Sequence, residues 1–273
     1  MFKSVVGHSE DIELNDALAD VISQCRSKLG DSPASAGFLF CWVGHDLPTV
    51  AQAIYTAFPG IQLIGATTDG ELSSELVFSD TSIALQILSS DEIQFRATVA
   101  RDAHEDTEAR VAAAARQALG SLGHEARLCI TFPESITLSG SAVVRALRGV
   151  LGETFPIFGG TAGDARRVEK TFQFFGGEVL TNSVPLMLIS DPICFSSGRF
   201  SGWEPLDLAG TVTRAEGNVV HEINNRPAVE FFSRYLGNLH EVAGKYAEYP
   251  LIIEGGADSY QISVLSVDLT NNS

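Results

Sequence analysis

The stretch GFLFCWVGHDLPTVAQAIYTAFPGIQLIGATTDGE, residues 37–71, decides the fold class. It opens on the apolar run GFLFCWV (37–43), breaks at the polar GHDLP, and continues into Thr49–Ala57, which has helical spacing. Phe58-Pro59, the short apolar run IQLI and the loop Gly65–Glu71 close it. Short apolar runs bounded by turn residues read as buried strands, and a helix between two of them makes an α/β unit. The same order recurs at 128–164, LCITFPESITLSGSAVVRALRGVLGETFPIFGGTAGD, down to the Phe-Pro pair (Phe155-Pro156) and a Gly-Thr loop, Gly159–Asp164. Beyond the loops, TSIALQILSSDEIQF (81–95) resembles NSVPLMLISDPICF (182–195). Three matches in one order predict a duplicated α/β unit of about a hundred residues, with copies at about 37–100 and 127–197.

Between the copies, Glu105–Leu119 is Ala-rich with acids in its first turn, which predicts a helix. GRFSGWEP (198–205) reads as a connector, with Trp203 expected as a buried anchor in a rigid turn. A strand pair is predicted over 211–224 with a turn at 216–218, then an amphipathic helix over 226–238 carrying Val229, Phe232, Leu236 and Leu239 on one stripe. The expected architecture is α/β: a duplicated unit with mixed sheets over 1–205, then part of a second α/β domain over 206–273.

The composition excludes several classes. Of 273 residues 45% are hydrophobic, so a core is available and disorder is disfavoured. Lys and Arg number 18 against 34 Asp and Glu, a formal charge of −16 that repels nucleic acid and anionic membrane surfaces. No apolar run is long enough to span a bilayer, and Met1–Asp16 lacks the pattern of a signal peptide, which leads to an expectation of a cytoplasmic protein. Cys25, Cys41, Cys129 and Cys194 form no CxxC pair and are expected as buried reduced thiols.

Chemistry concentrates in the paired loops. Gly65, Gly159 and Gly160 let backbone approach a ligand closely; Thr67, Thr68 and Thr161 supply hydroxyls; Asp69, Glu71 and Asp164 supply carboxylates. Two such loops meeting across a pseudo-twofold axis would frame one pocket, although Gly and Asp also shape ordinary turns. P-loop, GxGxxG, GxSxG and HExxH signatures are absent. The turn TLSGS (137–141) is expected to cap the following helix through Ser139 or Ser141. Among the histidines, His8, His104 and His124 lie among polar residues and are expected in solvent, whereas His45 follows the first strand and can face the loops. His221, on the apolar face of VVHEI, and His240, beside an apolar stripe, are each either core residues or alternative ligands to a metal or haem iron.

The pieces IGATTDGEL (64–72), GGTAGD (159–164), TFQFFGGEV (171–179), GWEP (202–205) and AEGNVVHEINNRPAVEFFSRYLG (215–237), in this order, resemble the FIST family of intracellular sensory proteins. The resemblance implies a cytoplasmic, non-enzymatic module that binds a small molecule such as an amino acid. It further implies signalling to a partner, typically a histidine kinase or a cyclic-nucleotide-related enzyme. It also implies, for some members, haem and nitric-oxide sensing through a His-ligated iron; His221 stands where many members have Tyr. The family usually continues past residue 273, so the C-terminal region is expected to be incomplete. Two rival readings stay open: a hydrolase or lyase using Asp69, Glu71, Asp164 and a His, and an interaction scaffold whose loops are purely structural.

Overall fold

The computed structural model describes residues 1–198, 203–204, 209–216, 219–237, 249–255 and 258–262. The chain divides into two units, Met1–Ser196 and Ser197–Ser273. In the first unit the elements run β1 (Phe2–Ser9), α1 (Leu14–Leu29), β2 (Ala36–Trp42), α2 (Leu47–Ala57), β3 (Gln62–Thr68), β4 (Ile83–Ser90), β5 (Phe95–Ala100), α3 (Thr107–Gly120), β6 (Ala126–Thr131), α4 (Gly140–Leu151), β7 (Ile157–Gly159), β8 (Gln173–Phe175), β9 (Glu178–Leu180) and β10 (Val184–Ser190). They build two mixed sheets, as an α/β fold requires.

The first sheet has the order β1-β4-β2-β3-β8-β9 and the second β5-β10-β6-β7. Each contains a parallel pair, β2/β3 or β6/β7, joined through a helix. In each, a returning antiparallel strand, β4 or β10, lies beside that pair and carries an outer strand, β1 or β5. The hairpin β8–β9 comes from the second half of the unit, yet it extends the first sheet by pairing with β3.

Four layers result. The apolar stripes of α1 (Ala17, Leu18, Val21, Cys25, Leu29) and α2 (Leu47, Val50, Ala51, Ile54) recur every three or four residues and cover one face of the first sheet. Strand β2 is buried on both sides. Leu39 and Cys41 face the helices, while Phe38 and Phe40 face the second sheet. Met187 and Ile189 of β10 and Leu128 of β6 meet Phe38 and Ile64 between the sheets, and α3 and α4 cover the far side with Val111, Ala115, Val143 and Leu147. Each fully buried Leu, Ile or Phe contributes about 1.5–3 kcal/mol. Cys25, Cys41 and Cys129 are buried thiols in these layers, pushed up by burial, Cys25 and Cys129 to about 12. Cys194 departs from expectation and is exposed.

Helix α3 starts as its acids predict: the Asp106 side chain accepts the Ala109 N–H at 3.0 Å. At α4 the cap residue is Ser139, but its hydroxyl bonds Ser141 rather than backbone. The N–H groups of Ile136, Thr137 and Leu138, just ahead of the helix, go instead to the buried Glu134 carboxylate.

The second unit contains β11 (Val212–Glu216), β12 (Val219–Ile223), β13 (Arg226–Pro227), α5 (Ala228–Leu236), β14 (Leu251–Gly255) and β15 (Asp258–Ile262). Strands β11–β13 form one antiparallel sheet and β14–β15 a hairpin. Helix α5 ends at the predicted stripe residue Leu236, followed by Gly237 with a φ of 77°; Leu239 and His240 lie outside the described residues. Trp203 is 48% exposed, so it is not the buried anchor its Gly-Pro setting predicts. No helix among the described residues is long and apolar enough to cross a membrane.

Candidate functional site

Strands β1, β2 and β3 all run antiparallel to, or through the parallel pair opposite, β4, so their carboxyl ends share one edge of the first sheet. The loop Gly65–Glu71 leaves β3 at that edge, and Gly159–Asp164 leaves β7 at the corresponding edge of the second sheet. Gly65 and Gly159 sit at matching places. A Cβ on Gly65 would overlap the Leu39 carbonyl oxygen, and one on Gly159 the Thr131 carbonyl oxygen, each on the paired parallel strand.

The two loops meet. The Thr67 hydroxyl donates to the Gly163 carbonyl at 2.6 Å and the Gly163 N–H to the Thr67 carbonyl at 2.7 Å. The Arg166 N–H donates to Asp69 Oδ1 at 3.0 Å. Thr67 is fully buried, so its hydroxyl is a clasp between the loops and also accepts the Phe172 N–H at 3.1 Å.

The predicted carboxylates separate into different roles. Asp164 is buried and accepts N–H bonds from Val168, Glu169 and Lys170 at 2.9, 2.7 and 3.0 Å. Burial alone would raise its carboxyl, but the Glu169, Val168, Lys170 and Arg167 backbone donors outweigh it and hold it below its ordinary value. Those bonds fix a turn in which Ala165, Arg166 and Val168 all have left-handed backbone, φ 59°, 62° and 56°. Glu71 is also buried, accepting the hydroxyls of Thr68 and, at 2.6 Å, Ser82. Burial pushes its carboxyl up despite those donors. Asp69 alone of the three is exposed, and its Oδ2 has no partner among the described residues. Gly160 and Thr161 are exposed, with N–H groups and a hydroxyl that likewise lack partners among the described residues.

His8 corrects the expectation of a solvated side chain. It is buried near the end of β1, with Nδ1 2.7 Å from Ser73 Oγ and Nε2 2.7 Å from Ser82 Oγ. The Ser82 proton is committed to Glu71, so Ser82 accepts from His8, which places the imidazole proton on Nε2. Burial lowers the His8 pKa against the opposite pull of Glu10 and Glu75. Thr68, Glu71, Ser82, His8 and Ser73 thus form one buried chain of hydrogen bonds behind the exposed loop surface. The sequence signal for it is faint: His8 ends the short Val-Val run of β1, and Ser82 opens β4.

His45 lies in the turn after β2, edge-on to Trp42 at 5.4 Å, and Trp42 pairs with Thr68 in the sheet. Its Nε2 is buried without a hydrogen-bond partner among the described residues, and burial lowers its pKa. A buried polar atom left unpaired costs free energy and marks a place where a further group can bind. His104 and His124 are exposed, as expected.

His221 is half-buried on β12, where Val219 beside it is exposed and Glu222 is held by Arg214 at 2.9 Å. A haem requires apolar walls that exclude water. The described surroundings of His221 do not fit that requirement. Among the described residues no group of three His, Cys, Asp or Glu side chains converges to hold a metal ion.

A family model described as FIST N domain matches residues 35–226. Over 106 residues the chain is 37% identical to an uncharacterised protein of Methanocaldococcus jannaschii, a match covering 38% of this chain and 19% of that relative. The chain therefore spans about a fifth of the relative's length.

Proposed function

The chain belongs to the FIST family, whose domains are sensory modules of signal transduction, and we propose that it binds a small molecule where the two Gly-Thr loops meet. One observation carries this reading: the Thr67–Gly163 clasp joins the loops while Asp69 Oδ2, the Gly160 and Thr161 N–H groups and the Thr161 hydroxyl have no partner among the described residues. An amino acid-like ligand suits them, its carboxylate on the N–H groups and hydroxyl and its amine on Asp69. The orphaned Nε2 of His45, in the turn beside the same sheet edge, supports a ligand at this end of the molecule.

The module is non-enzymatic in this reading. Its rival as a hydrolase or lyase needs two carboxylates and a His open to substrate, whereas Glu71 and Asp164 are buried and already accept several donors. Binding would shift a conformational population in proportion to the ligand's differential affinity, and so report to a signalling partner such as a histidine kinase or a cyclic-nucleotide-related enzyme, in the cytoplasm. The matching order of the two sheets supports the duplicated unit expected from the sequence.

Thermal unfolding with each of the twenty L-amino acids in turn tests the proposal. A binder present at about a hundred times its Kd adds about 2.7 kcal/mol of stability. That gain should vanish in Asp69→Ala, whose unliganded melting temperature falls only slightly, by the loss of the exposed Arg166 N–H bond worth about 1 kcal/mol. A panel without a single stabiliser, or a gain that survives Asp69→Ala, overturns it.

A further inference from the structure

We propose that Ser73 is a nucleophilic serine that takes the acyl group of a small ester, with His8 as its base. The reaction does not require a ligand at the Gly-Thr loops. Three contacts place the groups in line. Ser73 Oγ is 2.7 Å from His8 Nδ1, His8 Nε2 is 2.7 Å from Ser82 Oγ, and Ser82 Oγ donates to Glu71 Oε2 at 2.6 Å. With the imidazole proton on Nε2, Nδ1 is an acceptor, so the Ser73 hydroxyl aims its proton at the base. The Leu76 carbonyl, which that hydroxyl can also reach, is farther away at 3.4 Å and makes the weaker bond. A hydroxyl, an imidazole and an acid joined in that order activate a serine; here a second hydroxyl stands between imidazole and acid.

The surroundings hold both reacting groups. The His8 N–H donates to Gln24 Oε1 at 3.0 Å, and Gln24 Nε2 returns a bond to the His8 carbonyl at 3.1 Å. Glu71 and Ser79 exchange backbone bonds of 2.7 and 3.0 Å across the base of the serine's loop. The Glu75 and Leu76 N–H groups donate to Ser73 Oγ at 3.1 and 3.2 Å, which fixes the oxygen and favours its ionised form. As consecutive amides of one turn they approach from one side and leave the other to an electrophile. Burial keeps His8 neutral at neutral pH, as a base must be. Of the charges around it, Glu10 and Glu75 pull the other way, Glu75 is paired with Lys28 at 2.7 Å, and Glu71 is reached only through Ser82.

The step balances without a further reactant. Ser73 Oγ attacks the ester carbonyl carbon and its proton passes to His8 Nδ1. The bond from that carbon to the leaving oxygen then breaks, the proton moves from Nδ1 to the leaving oxygen, and an alcohol departs from an acylated Ser73. Leu72 beside the serine is 72% exposed, and Val77 and Phe78 on the same loop are exposed too, which favours an apolar acyl chain. Ser73 is half-buried and His8 only 2% exposed, so an acyl group on the serine covers the imidazole. Water then fails to reach the base, and the ester persists as a modification of the loop.

The test treats the full chain with p-nitrophenyl butyrate, follows nitrophenolate release, and locates the acyl group by peptide mass spectrometry. Ser73 should be acylated at least about tenfold faster than its exposed neighbour Ser74, a comparison made within one folded molecule. Release should stop at one equivalent and be lost in Ser73→Ala. Its rate should be level at neutral pH, fall only below pH 6.5, and drop about a hundredfold in His8→Gln. Absence of acylation, equal labelling of Ser73 and Ser74, or a rate indifferent to His8→Gln and to pH overturns the proposal. Release that continues past one equivalent overturns it as well, because the ester would then be turned over rather than kept.

Discussion

Gly65 and Gly159 show how one atom constrains the parallel pairs, since a methyl group at either would overlap a carbonyl of the neighbouring strand. Their surroundings differ: β3 is clamped between β2 and β8, whereas β7 is an edge strand that can shift. Gly65→Ala is therefore expected to lower the thermal midpoint much more than Gly159→Ala, the former costing about 3 kcal/mol as strand displacement in a filled core. The sequence marks these glycines and their loops clearly. It does not reveal what the acids do, because Asp164's donors lie four to six residues onward and Glu71's second hydroxyl comes from Ser82, eleven residues away. Asp164→Ala should destabilise the unliganded protein by about 3 kcal/mol, and Asp164→Asn by less, since one oxygen still accepts. Asp164's depressed pKa makes its contribution fully present above the unfolded value of 3.8 and lost as pH falls through the folded value, which acid titration of the denaturation midpoint reads. His8 is also depressed, so the unfolded chain takes up its proton first and stability declines as pH falls below 6.5. Glu71 works the other way: its raised carboxyl costs stability as pH rises from 4.5 through its folded value. His8→Gln should remove the loss that begins below pH 6.5, and Glu71→Gln should make that loss steeper by removing the opposing contribution. Equal slopes in all three proteins would show that neither group titrates differently on folding.

Among elements, the predicted helices and the strands around the Gly-Thr loops correspond to α2, α3, α4, β2, β3, β4, β6 and β10, because buried runs and helical stripes carry a strong periodic signal. The first 36 residues carry a weaker one. Strand β1 is eight residues with a Gly and a His among its buried positions, and the stripe of α1 is interrupted by polar residues. Nothing local shows that β1 belongs outside β4, since that pairing joins residues more than 70 apart. The hairpin β8–β9 is similar: its three-residue strands and Gly176-Gly177 turn are visible in TFQFFGGEV, but its attachment to β3 is a long-range choice. Phe174 explains that choice, being fully buried with Leu39, Ile54 and Leu63 against the first sheet's helices. Phe174→Ala should cost about 3–5 kcal/mol in chemical denaturation, as large a loss as any single truncation in the central layers. A loss below about 1 kcal/mol would mean that the hairpin does not secure the first sheet.

The whole molecule combines a layered core with a charge of −16, and like charges spread over one surface work against its compactness. Raising the salt from about 50 to 500 mM should therefore increase the thermal midpoint, because screening relieves the repulsion; a fall would place the balance with the attractive ion pairs. The crossing of β8–β9 from the second half to the first sheet has a consequence for synthesis. A chain leaving the ribosome makes four strands of that sheet by residue 90, but the strip beside β3 is filled only when residue 180 has emerged. The second sheet likewise lacks its inner strand until β10 arrives at 184–190. Neither half can therefore finish ahead of the other. The nascent polypeptide must keep an open sheet margin soluble for roughly a hundred residues of translation, about 5–20 s at usual elongation rates. Chaperone capture and misassembly should concentrate in that interval, and a ribosome stalled between residues 90 and 180 should display β3 as its vulnerable border.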